Sequence, residues 1–376
     1  MVLLCMGFAG WTLSYILRMM LPPIFPLIIE ELGLSGFEAG MLMSAFFSTY
    51  ALMQLPAGFL TDKLSRKSMI SICIALSSAA ALFSALASDY GQLILARALF
   101  GLAAGLYYSP MISMISDAFE PKHRGRAIGF FMSGSRLGSA LAPILAVHIA
   151  ISYGWRMAFI ACALPGFILA LIFYLLVSEP MRDEVKSMCS LALIKANWRP
   201  LFIAYILPAV SMMASMGLAT FLPMYFITCK ELSIESAALI VSLSFLAGFA
   251  GHIFGGFLTD KLGCKYAMLS TLILTLVSIL LLHTISGSAI VFPAIFFGFI
   301  SVSGAAPTIA YTVESSPEGV RGFSLGIGNT TGFIGASVGS AVGGLIIDLL
   351  GYDQLLTFIF TIYALALLIT MFIPNK

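Results

Sequence analysis

Apolar segments follow one another along almost the whole chain of 376 residues, separated by short polar or charged stretches. About 20 consecutive apolar residues are enough for a helix to cross the hydrocarbon core of a bilayer. The pattern predicts twelve such helices, at residues 2–29, 36–60, 68–88, 90–117, 124–151, 155–178, 200–228, 234–259, 265–286, 288–314, 321–348 and 352–374. These spans use nearly every residue, so we expect an all-α membrane protein without an extramembrane domain.

The composition excludes most other classes of protein. Hydrophobic residues make up 60% and charged residues 10% of the chain, and the mean hydropathy is +1.04. A soluble domain carries about 25% charged residues. The net charge of +2 is too small to indicate a nucleic-acid partner, and the six cysteines form no CxxC pair, which argues against a metal site or a disulfide framework. The partner that this composition predicts is the lipid bilayer, and no cofactor is expected.

The basic residues indicate how the spans are oriented. Fourteen of the nineteen Lys and Arg residues fall on one side of the predicted topology, whereas only Arg156 and Lys230 fall on the other. By the positive-inside rule, both termini and the loops after even-numbered spans are cytoplasmic. The short loops and the very short N-terminal tail favour the plasma membrane of a prokaryote.

The heptapeptide GFLTDKL occurs twice, at Gly58–Leu64 and at Gly256–Leu262. The repeat extends further at a shift of 197 residues, where Gly101 meets Gly298, Pro110 meets Pro307, Asp117 meets Glu314 and Gly138 meets Gly335. We therefore interpret the chain as two six-span halves of the same orientation. The predicted organisation is a first bundle at 1–178, a cytoplasmic linker at 179–199 and a second bundle at 200–376.

The sequence around each heptapeptide resembles the signature G-x-L-x-D-(K/R)-x-G-(R/K)-(R/K) of the major facilitator superfamily. GFLTDKLSRK departs from it at Ser65, and GFLTDKLGCK departs from it at Cys264. The segments LARALFGLAAG, PKHRGRA, GWRMAF and PEGVRGFS resemble further motifs of that family. The resemblance implies a functional monomer of twelve helices in two six-helix bundles, related by a pseudo-two-fold axis along the membrane normal. It also implies a substrate site between the bundles, near the middle of the membrane.

The same resemblance implies a cytoplasmic gate built from Gly58, Asp62, Arg66 and Asp117 in the first half and from Gly256, Asp260 and Glu314 in the second. Each glycine would let two helices approach closely. Each acid would accept hydrogen bonds from a helix N-terminus and pair with Arg or Lys. The alternative is a solvated basic loop that only sets the topology.

Three arginines lie inside predicted spans: Arg18 in the first, Arg97 in the fourth and Arg136 in the fifth. Insertion scales put the cost of a buried arginine at about 2.5–3.5 kcal/mol, so each needs a partner or a water-filled cavity. The sequence places no Asp or Glu well inside any span. A cationic cavity of this kind favours an anion, because guanidinium can bind carboxylate or phosphate through two hydrogen bonds.

The predicted substrate-binding residues are Arg18, Arg136, Tyr15, Ser14 and Trp11. Arg18 is the expected anchor, because it shares one helical stripe with the three residues that precede it by three, four and seven positions. Arg136 is the second candidate, with a hydrogen bond to the backbone or to Ser139 as the alternative. Arg97 belongs to a motif that many members of the family share, which implies a coupling or structural role.

The YILR segment of the first span resembles the Tyr-x-x-Arg of two anion-carrying branches of the family. These are the organic anion and phosphate symporters (anion:cation symporters) and the organophosphate:phosphate antiporters, and both place a substrate-binding Arg there. The chain departs from the symporter branch at Leu17 and Ala104, where that branch commonly has acids. A coupling proton, a sodium ion or a counter-anion is therefore left open, with His148, His252 and His283 as titratable candidates inside the spans.

These observations predict a secondary transporter that moves a small organic anion, such as a carboxylate, a sugar acid or a phosphate ester, by alternating access. Two alternatives stay open: a drug or multidrug efflux transporter, and a non-transporting membrane receptor on the same fold. An enzyme is not expected, because GASVG at Gly335–Gly339 matches a nucleophile motif only inside an apolar, glycine-rich helix. The direction of transport is not readable from the sequence.

Overall fold

The computed structural model describes residues 1–181, 198–317 and 320–373, and the regular structure within them is helical, without a strand. The chain divides into two compact units, Met1–Val185 and Lys186–Lys376, named below the first and the second unit. The boundary between the units falls inside the predicted linker 179–199. Residues 182–197 of that linker lie outside the described residues.

The helices of the first unit are α1 (Val2–Met19), α2 (Leu21–Leu32), α3 (Gly36–Lys63), α4 (Arg66–Leu86), α5 (Tyr90–Gly105), α6 (Tyr108–Ala118), α7 (Pro121–Tyr153) and α8 (Trp155–Leu176). Side chains cap the ends of several of them. Ser35 and Glu38 form a reciprocal capping box at the start of α3, and Asp89 caps α5. These helices correspond to six predicted spans, because the first span is divided into α1 and α2 and the fourth into α5 and α6.

The helices of the second unit are α9 (Trp198–Lys230), α10 (Ile234–Thr284), α11 (Val291–Ser303), α12 (Ala305–Ser315), α13 (Arg321–Leu350) and α14 (Tyr352–Met371), with a 3₁₀ turn at Gly287–Ile290. The 51 residues of α10 are interrupted at Gly263, whose φ of 76° is one that glycine adopts readily. A continuous helix of that length would measure about 76 Å, more than twice the roughly 30 Å core of a bilayer. The two parts of α10 therefore correspond to the eighth and ninth predicted spans.

Ten helical stretches within the described ranges are long and apolar enough to cross a membrane, judged by length and composition. One of the ten is α10, which carries two predicted spans. The 28 residues of α3 are also long enough to span, but they are less apolar than the ten. The predicted all-helical membrane fold is confirmed, and the helices are consistent with twelve spans.

The internal repeat extends to the contacts between helices. In the first unit, Gly101 of α5 packs against the backbone carbonyl of Phe46 in α3. In the second unit, Gly298 of α11 packs against the carbonyl of Ser244 in α10. Gly298 and Ser244 lie 197 and 198 residues after Gly101 and Phe46. A Cβ atom at either glycine would overlap the facing carbonyl, so each position requires a residue without a side chain.

A second pair of contacts repeats in the same way. Gly138 of α7 packs against the carbonyl of Thr12 in α1, and Gly335 of α13 packs against the carbonyl of Ala209 in α9. Here the two glycines are related by a shift of 197 residues, and so are the residues that carry the two carbonyl groups. Small residues at such crossings let two membrane helices approach through their backbones. The two halves are therefore structural repeats as well as sequence repeats.

The hydrogen-bond ladder of the first span is interrupted after Met19, past the midpoint of Val2–Leu32, whereas the matching span of the second unit is one uninterrupted helix. The helix α1 ends at Met19, and Pro22 and Pro23 follow at the start of α2. A proline has no N–H to donate back to the preceding turn, so the two prolines cannot continue the backbone bonds of α1. The helix α9 runs without a break, with Ala219 and Thr220 at the positions that correspond to the two prolines at a shift of 197.

Candidate functional site

Arg18 lies in the last turn of α1 and is only 1% exposed. Its Cζ atom stands 4.3 Å from the ring centroid of Tyr15, 4.6 Å from that of Tyr50 and 4.9 Å from that of Phe46. The three rings are named below the aromatic box. A guanidinium over an aromatic face is attracted by the negative charge of the ring quadrupole, and the attraction is larger when water is excluded. The box therefore stabilises a cation inside an apolar unit.

Helical spacing brings the box together from two helices. Tyr15 and Arg18 are three residues apart on α1, and Phe46 and Tyr50 are four residues apart on α3, so each pair lies on one helical face. One turn further along α3, Gln54 interacts with the Tyr50 hydroxyl, as Arg18 also does. The sequence pattern of α1 did not point to Phe46 and Tyr50 as residues of the site. The signal that would have found them is the stripe of Phe46, Tyr50 and Gln54 at i, i+4 and i+8.

The predicted stripe of α1 does not enter the box as a whole. Trp11 is 2% exposed and stacks on Tyr107 and Phe131 with centroid distances of 5.5 and 5.4 Å. Ser14 lines a small cavity beside α4. At 100° per residue Trp11 lies only about 20° from Arg18 but about 10 Å earlier along the axis of α1, whereas Ser14 lies about 100° away from Tyr15, so the stripe residues meet different neighbours. The structure therefore brings Tyr15 to Arg18 and places Trp11 and Ser14 in the packed interior of the first unit.

Arg97 approaches the same region from α5 and is also 1% exposed. Its Nη1 donates to the backbone carbonyl of Leu17, with a nitrogen–oxygen distance of 3.3 Å. Its Cζ stands 5.3 Å from the ring of Phe46 and 5.1 Å from the ring of Phe100. The ring of Phe46 therefore contacts both buried guanidinium groups.

The other predicted cation, Arg136, is half-buried on α7. Two residues later Gly138 packs against Thr12 and Tyr15 of α1, and the guanidinium of Arg136 is close enough to Tyr15 to interact with it electrostatically. Ser139, its alternative partner, is buried on the same helix. Of the titratable candidates, His148 and His283 are exposed and His252 is half-buried.

At the end of the first unit that carries the heptapeptide, Arg66 is buried at the start of α4 and forms an ion pair with Asp117 of α6. Its Nε also lies 3.2 Å from Oε1 of Glu179. Nη1 donates to the hydroxyl of Ser113 at 2.9 Å, and Nη2 donates to the carbonyl of Pro180 at 2.8 Å. We name these five residues the Arg66 cluster. The sequence placed Arg66 and Asp117 together, but it did not predict Glu179, which follows α8 and is 113 positions away from Arg66.

Glu179 accepts hydrogen bonds from the Ser65 hydroxyl at 2.6 Å and from the backbone N–H groups of Arg66 and Lys67 at 3.0 and 3.5 Å. These donors make Glu179 a cap for the N-terminus of α4, where a negative charge is favoured. Partial burial alone would raise the pKa of the Glu179 carboxyl. The hydrogen bonds from Ser65, Arg66 and Lys67 outweigh burial and lower the pKa from 4.5 to about 2.

Replacing Glu179 with glutamine is expected to lower the thermal midpoint of unfolding at pH 7 by about 1–2 °C, the effect of roughly 1 kcal/mol in a chain of this length. The pKa of Glu179 is lower in the folded protein than its ordinary value of 4.5. Its stabilisation is therefore complete above pH 4.5 and is lost as the pH falls toward 2. Thermal unfolding of the purified protein in detergent, measured from pH 7 to pH 3, should show the difference from wild type shrinking below pH 4.5.

The matched control for this variant is Glu120→Gln. Glu120 pairs with Lys122 at 2.9 Å, but both side chains are about 70% exposed, so the pair contributes little. This control should match wild type across the pH range. A difference between Glu179→Gln and wild type that stays constant from pH 7 to pH 3 would contradict the expected titration.

The second unit carries a weaker counterpart of the Arg66 cluster. Cys264 occupies the position of Arg66, and its thiol donates to Oε1 of Glu314 at a distance of 3.3 Å. Glu314 occupies the position of Asp117. A neutral thiol is a weak donor, whereas a guanidinium forms a charge-assisted bond. At this position the guanidinium–carboxylate contact of the first unit is thus replaced by a thiol–carboxylate hydrogen bond.

The two repeated glycines of the heptapeptide make no close crossing within their own units. A Cβ placed at Gly58 or at Gly256 would meet no atom of another helix of its unit within 4 Å. Asp62 and Asp260 are exposed. The backbone crossings within the units are made by other glycines, such as Gly101, Gly298 and Gly255, and the close approach expected at Gly58 and Gly256 stays a prediction.

Comparison with known proteins decides the family. The model of the Major Facilitator Superfamily matches residues 7–340 and, in a second match, residues 209–376. The chain belongs to the major facilitator superfamily. The family suggested by the heptapeptide and the loop motifs is therefore confirmed, and the multi-pass helical architecture agrees with it.

Three superfamily relatives are informative. A hexuronate transporter of Bacillus subtilis is 27% identical over 93% of this chain and 88% of its own length. The "Probable L-galactonate transporter" of Escherichia coli is 30% identical over 62% of this chain and 56% of its own length. The quinolone resistance protein NorA of Staphylococcus aureus is 23% identical over 87% of this chain and 85% of its own length.

Solved structures of superfamily members show the same fold. A bacterial homologue of the human lysosomal transporter Spinster, in an inward-facing and occupied conformation, superposes with a TM-score of 0.84 at 19% identity. The match covers 98% of this chain and 95% of the other. The unoccupied form of that homologue gives a TM-score of 0.82 at 18% identity.

Proposed function

We propose that this chain is a secondary transporter of a small organic anion of the sugar-acid class, working by alternating access between its two six-helix bundles. In this proposal the protein resides in the plasma membrane of a prokaryote, with both termini on the cytoplasmic side. Arg18 is the residue that binds the carboxylate, and Arg136 is the second candidate. The observation that carries the proposal is the buried guanidinium of Arg18 in its aromatic box.

The geometry of the box suits a carboxylate. Aromatic rings stack on the faces of a guanidinium, whereas its N–H donors point outward in its plane. A carboxylate approaches in that plane and can accept two parallel hydrogen bonds. The desolvated surroundings make such a bond stronger than it would be in water. A buried cation near the middle of a span is accordingly a functional hypothesis in a membrane protein.

The surrounding polar groups favour a substrate that carries hydroxyl groups as well as a carboxylate. The hydroxyls of Tyr15 and Tyr50 and the amide of Gln54 can each donate and accept hydrogen bonds. Sugar acids combine a carboxylate with several hydroxyl groups. Two relatives are named for such anions, hexuronate and L-galactonate. The chemistry of the box and the names of the relatives therefore point to the same class.

The proposal includes a role for the Arg66 cluster and its counterpart. We assign Asp62, Arg66 and Asp117, with Asp260 and Glu314, to a cytoplasmic gate that breaks and re-forms as the transporter changes state. The buried ion pair of Arg66 supports this role, because two discrete arrangements of such a pair can define two states. The thiol in place of an arginine would make the gate weaker on the side of the second unit.

Efflux of drugs is the second candidate function. The similarity to the quinolone resistance protein NorA extends over 87% of this chain and supports it. A carrier of cationic drugs would be expected to have an acid within its spans, and the sequence has none well inside them. The first candidate is therefore favoured.

The test is counterflow into proteoliposomes loaded with one unlabelled compound and exposed to the same compound with a radioactive label. The panel contains glucuronate, galactonate, a simple dicarboxylate, a hexose phosphate, neutral glucose and a cationic quinolone or dye. Accumulation of a sugar acid, above empty liposomes, is the expected result. Accumulation of only the quinolone or dye would establish the efflux function, and binding without accumulation of any compound would favour a receptor.

A further inference from the structure

The end of α1 leaves backbone carbonyl groups that can accept a hydrogen bond from a side chain of another helix. The last four carbonyl groups of a helix have no donor within the helix. In α1 the N–H of Met20 donates to the carbonyl of Ile16 at 3.0 Å, and the helix ends at Met19. The next carbonyl along the helix belongs to Leu17. It precedes Arg18 directly, so its position helps to set the direction of the Arg18 side chain.

Arg97 donates to this carbonyl. Its Nη1 lies 3.3 Å from the Leu17 oxygen, and its guanidinium contacts the rings of Phe46 and Phe100. A planar guanidinium held by a hydrogen bond and by two rings is fixed in one orientation, which a flexible ammonium would not be. Phe46 also contacts Arg18, so Arg97 reaches Arg18 through both the backbone of α1 and a shared ring.

The second unit supplies an internal comparison. The residue at the position of Arg97 is Ala294, which is fully buried. Its carbonyl accepts a hydrogen bond from the Ser244 hydroxyl at 2.8 Å, a contact within the helix pair of that unit. The first span of the second unit, α9, is continuous. The broken span and the arginine thus occur together in the first unit, whereas the continuous span and the alanine occur together in the second.

We propose that Arg97 is a positioning residue that holds the broken end of the first span and thereby directs Arg18 toward the transported anion. The inference rests on the proposed function, because it takes Arg18 as the residue that binds the anion. Arg97 acts through the Leu17 carbonyl and the Phe46 ring and does not touch the anion. A residue that bound the anion directly would behave differently. Its loss would weaken the binding of an anion with two negative charges more than the binding of an anion with one.

The test uses the full chain purified in detergent, with Arg97→Lys and Arg97→Gln. Hydrogen exchange of the backbone amides at residues 16–24, measured without any anion, reports how firmly the end of α1 is held. Titration calorimetry with glucuronate and with the dianion galactarate measures affinity. We expect both variants to exchange faster in this segment. We also expect both to bind the two anions more weakly by the same factor, about tenfold for the loss of one hydrogen bond from a charged group.

Two results would overturn the inference. If Arg97→Lys binds both anions as tightly as wild type, the charge of Arg97 matters and its geometry does not. If the variants keep wild-type exchange and lose affinity mainly for galactarate, Arg97 is a ligand. Phe100→Leu is the second route, because it removes one of the two rings from Arg97 without replacing a residue of the box, although that ring also stacks on Phe46 with centroids 5.0 Å apart. It should give a smaller change of the same kind, and wild-type exchange and affinity in this variant would contradict the role of the ring.

The matched control is Tyr107→Phe. The Tyr107 hydroxyl donates to the Gly7 carbonyl at 2.9 Å, so it also bonds the backbone of α1, but near the opposite end of the helix. Faster exchange near Gly7 with unchanged affinity is expected. A loss of affinity equal to that of the Arg97 variants would show that any loosening of α1 has this effect, and would overturn the specific role of Arg97.

Failure of the proposed function would look different. If wild type binds neither anion, or if Arg18→Gln binds as wild type does, Arg18 is not the anion-binding residue and the inference falls with the proposed function. Hydrogen exchange at residues 16–24 would still show whether Arg97 holds the end of α1, because it is measured without any anion. Faster exchange in the Arg97 variants would then assign Arg97 a purely structural contact with α1.

Discussion

Replacing Arg18 with glutamine is expected to abolish the accumulation of a sugar acid in counterflow and to weaken its binding by about 30-fold or more. Truncating one partner of a buried, hydrogen-bonded charge pair costs about 2–5 kcal/mol, and each 1.4 kcal/mol is a factor of about ten in affinity. Arg18 is only 1% exposed, so water cannot replace the lost donors without a rearrangement of the box. Calorimetry and counterflow on the same preparation measure the two effects.

Arg18→Lys should fall between wild type and Arg18→Gln. Lysine keeps the positive charge but lacks the planar fork that binds both carboxylate oxygens and stacks on the rings of Tyr15 and Tyr50. An affinity equal to that of wild type would mean that the charge alone is recognised. This variant therefore separates the electrostatic contribution of Arg18 from the geometric one.

Two further variants show whether the effect belongs to Arg18. Arg126→Gln makes the same change of charge at an exposed position of α7 and should leave the affinity unchanged. Arg136→Gln tests the second candidate and is expected to have a smaller effect than Arg18→Gln. If Arg136→Gln abolishes binding and Arg18→Gln does not, the anion-binding residue is Arg136 and the aromatic box around Arg18 is structural.

The second large effect is expected on stability, from alanine at Gly101. A Cβ at this position would overlap the backbone carbonyl of Phe46, and a backbone carbonyl cannot move aside as a flexible side chain can. Overpacking of this kind costs about 1–3 kcal/mol, so the thermal midpoint of unfolding should fall by roughly 1–4 °C in a chain of this length. Thermal unfolding of the detergent-solubilised protein, followed by intrinsic fluorescence, measures the change.

The chain offers its own controls for this prediction. Gly298→Ala meets the carbonyl of Ser244 in the second unit and should destabilise by a similar amount. Gly58→Ala, in the repeated heptapeptide, has open space on the side of its own unit, and alanine favours a helix over glycine by about 1 kcal/mol. Its midpoint should therefore stay the same or rise. Equal destabilisation at Gly58 and Gly101 would contradict the assignment of the close crossings.

The spans, the repeat and the family could be read from the sequence because they depend on local properties. Hydropathy over about 20 residues predicts a membrane helix, and identical motifs at a constant shift reveal a repeat. The pairing of Arg66 with Asp117 followed from a family motif. The contact of Tyr15 with Arg18 followed from helical spacing. None of these inferences required knowledge of which helix faces which.

The remaining part of the site depends on contacts between helices that are distant in the sequence. Phe46 and Tyr50 reach Arg18 only because α3 packs beside α1, and Glu179 reaches Arg66 across 113 positions. The glycines of the heptapeptide are prominent by their repetition, but the backbone crossings within each unit are made at other glycines, such as Gly101, Gly298 and Gly255.

The sequence by itself determined the class of the protein, its spans, its internal repeat and the unusual arginines, since each follows from composition or from spacing along one helix. Only the tertiary structure decided which side chains surround Arg18, that Arg97 bonds to the backbone beside it, and that Glu179 completes the Arg66 cluster. The physical reason is that a helical pattern specifies which face of a helix a residue occupies. The neighbour opposite that face is set by how the helices pack, and packing depends on the shape of every helix in the unit at once.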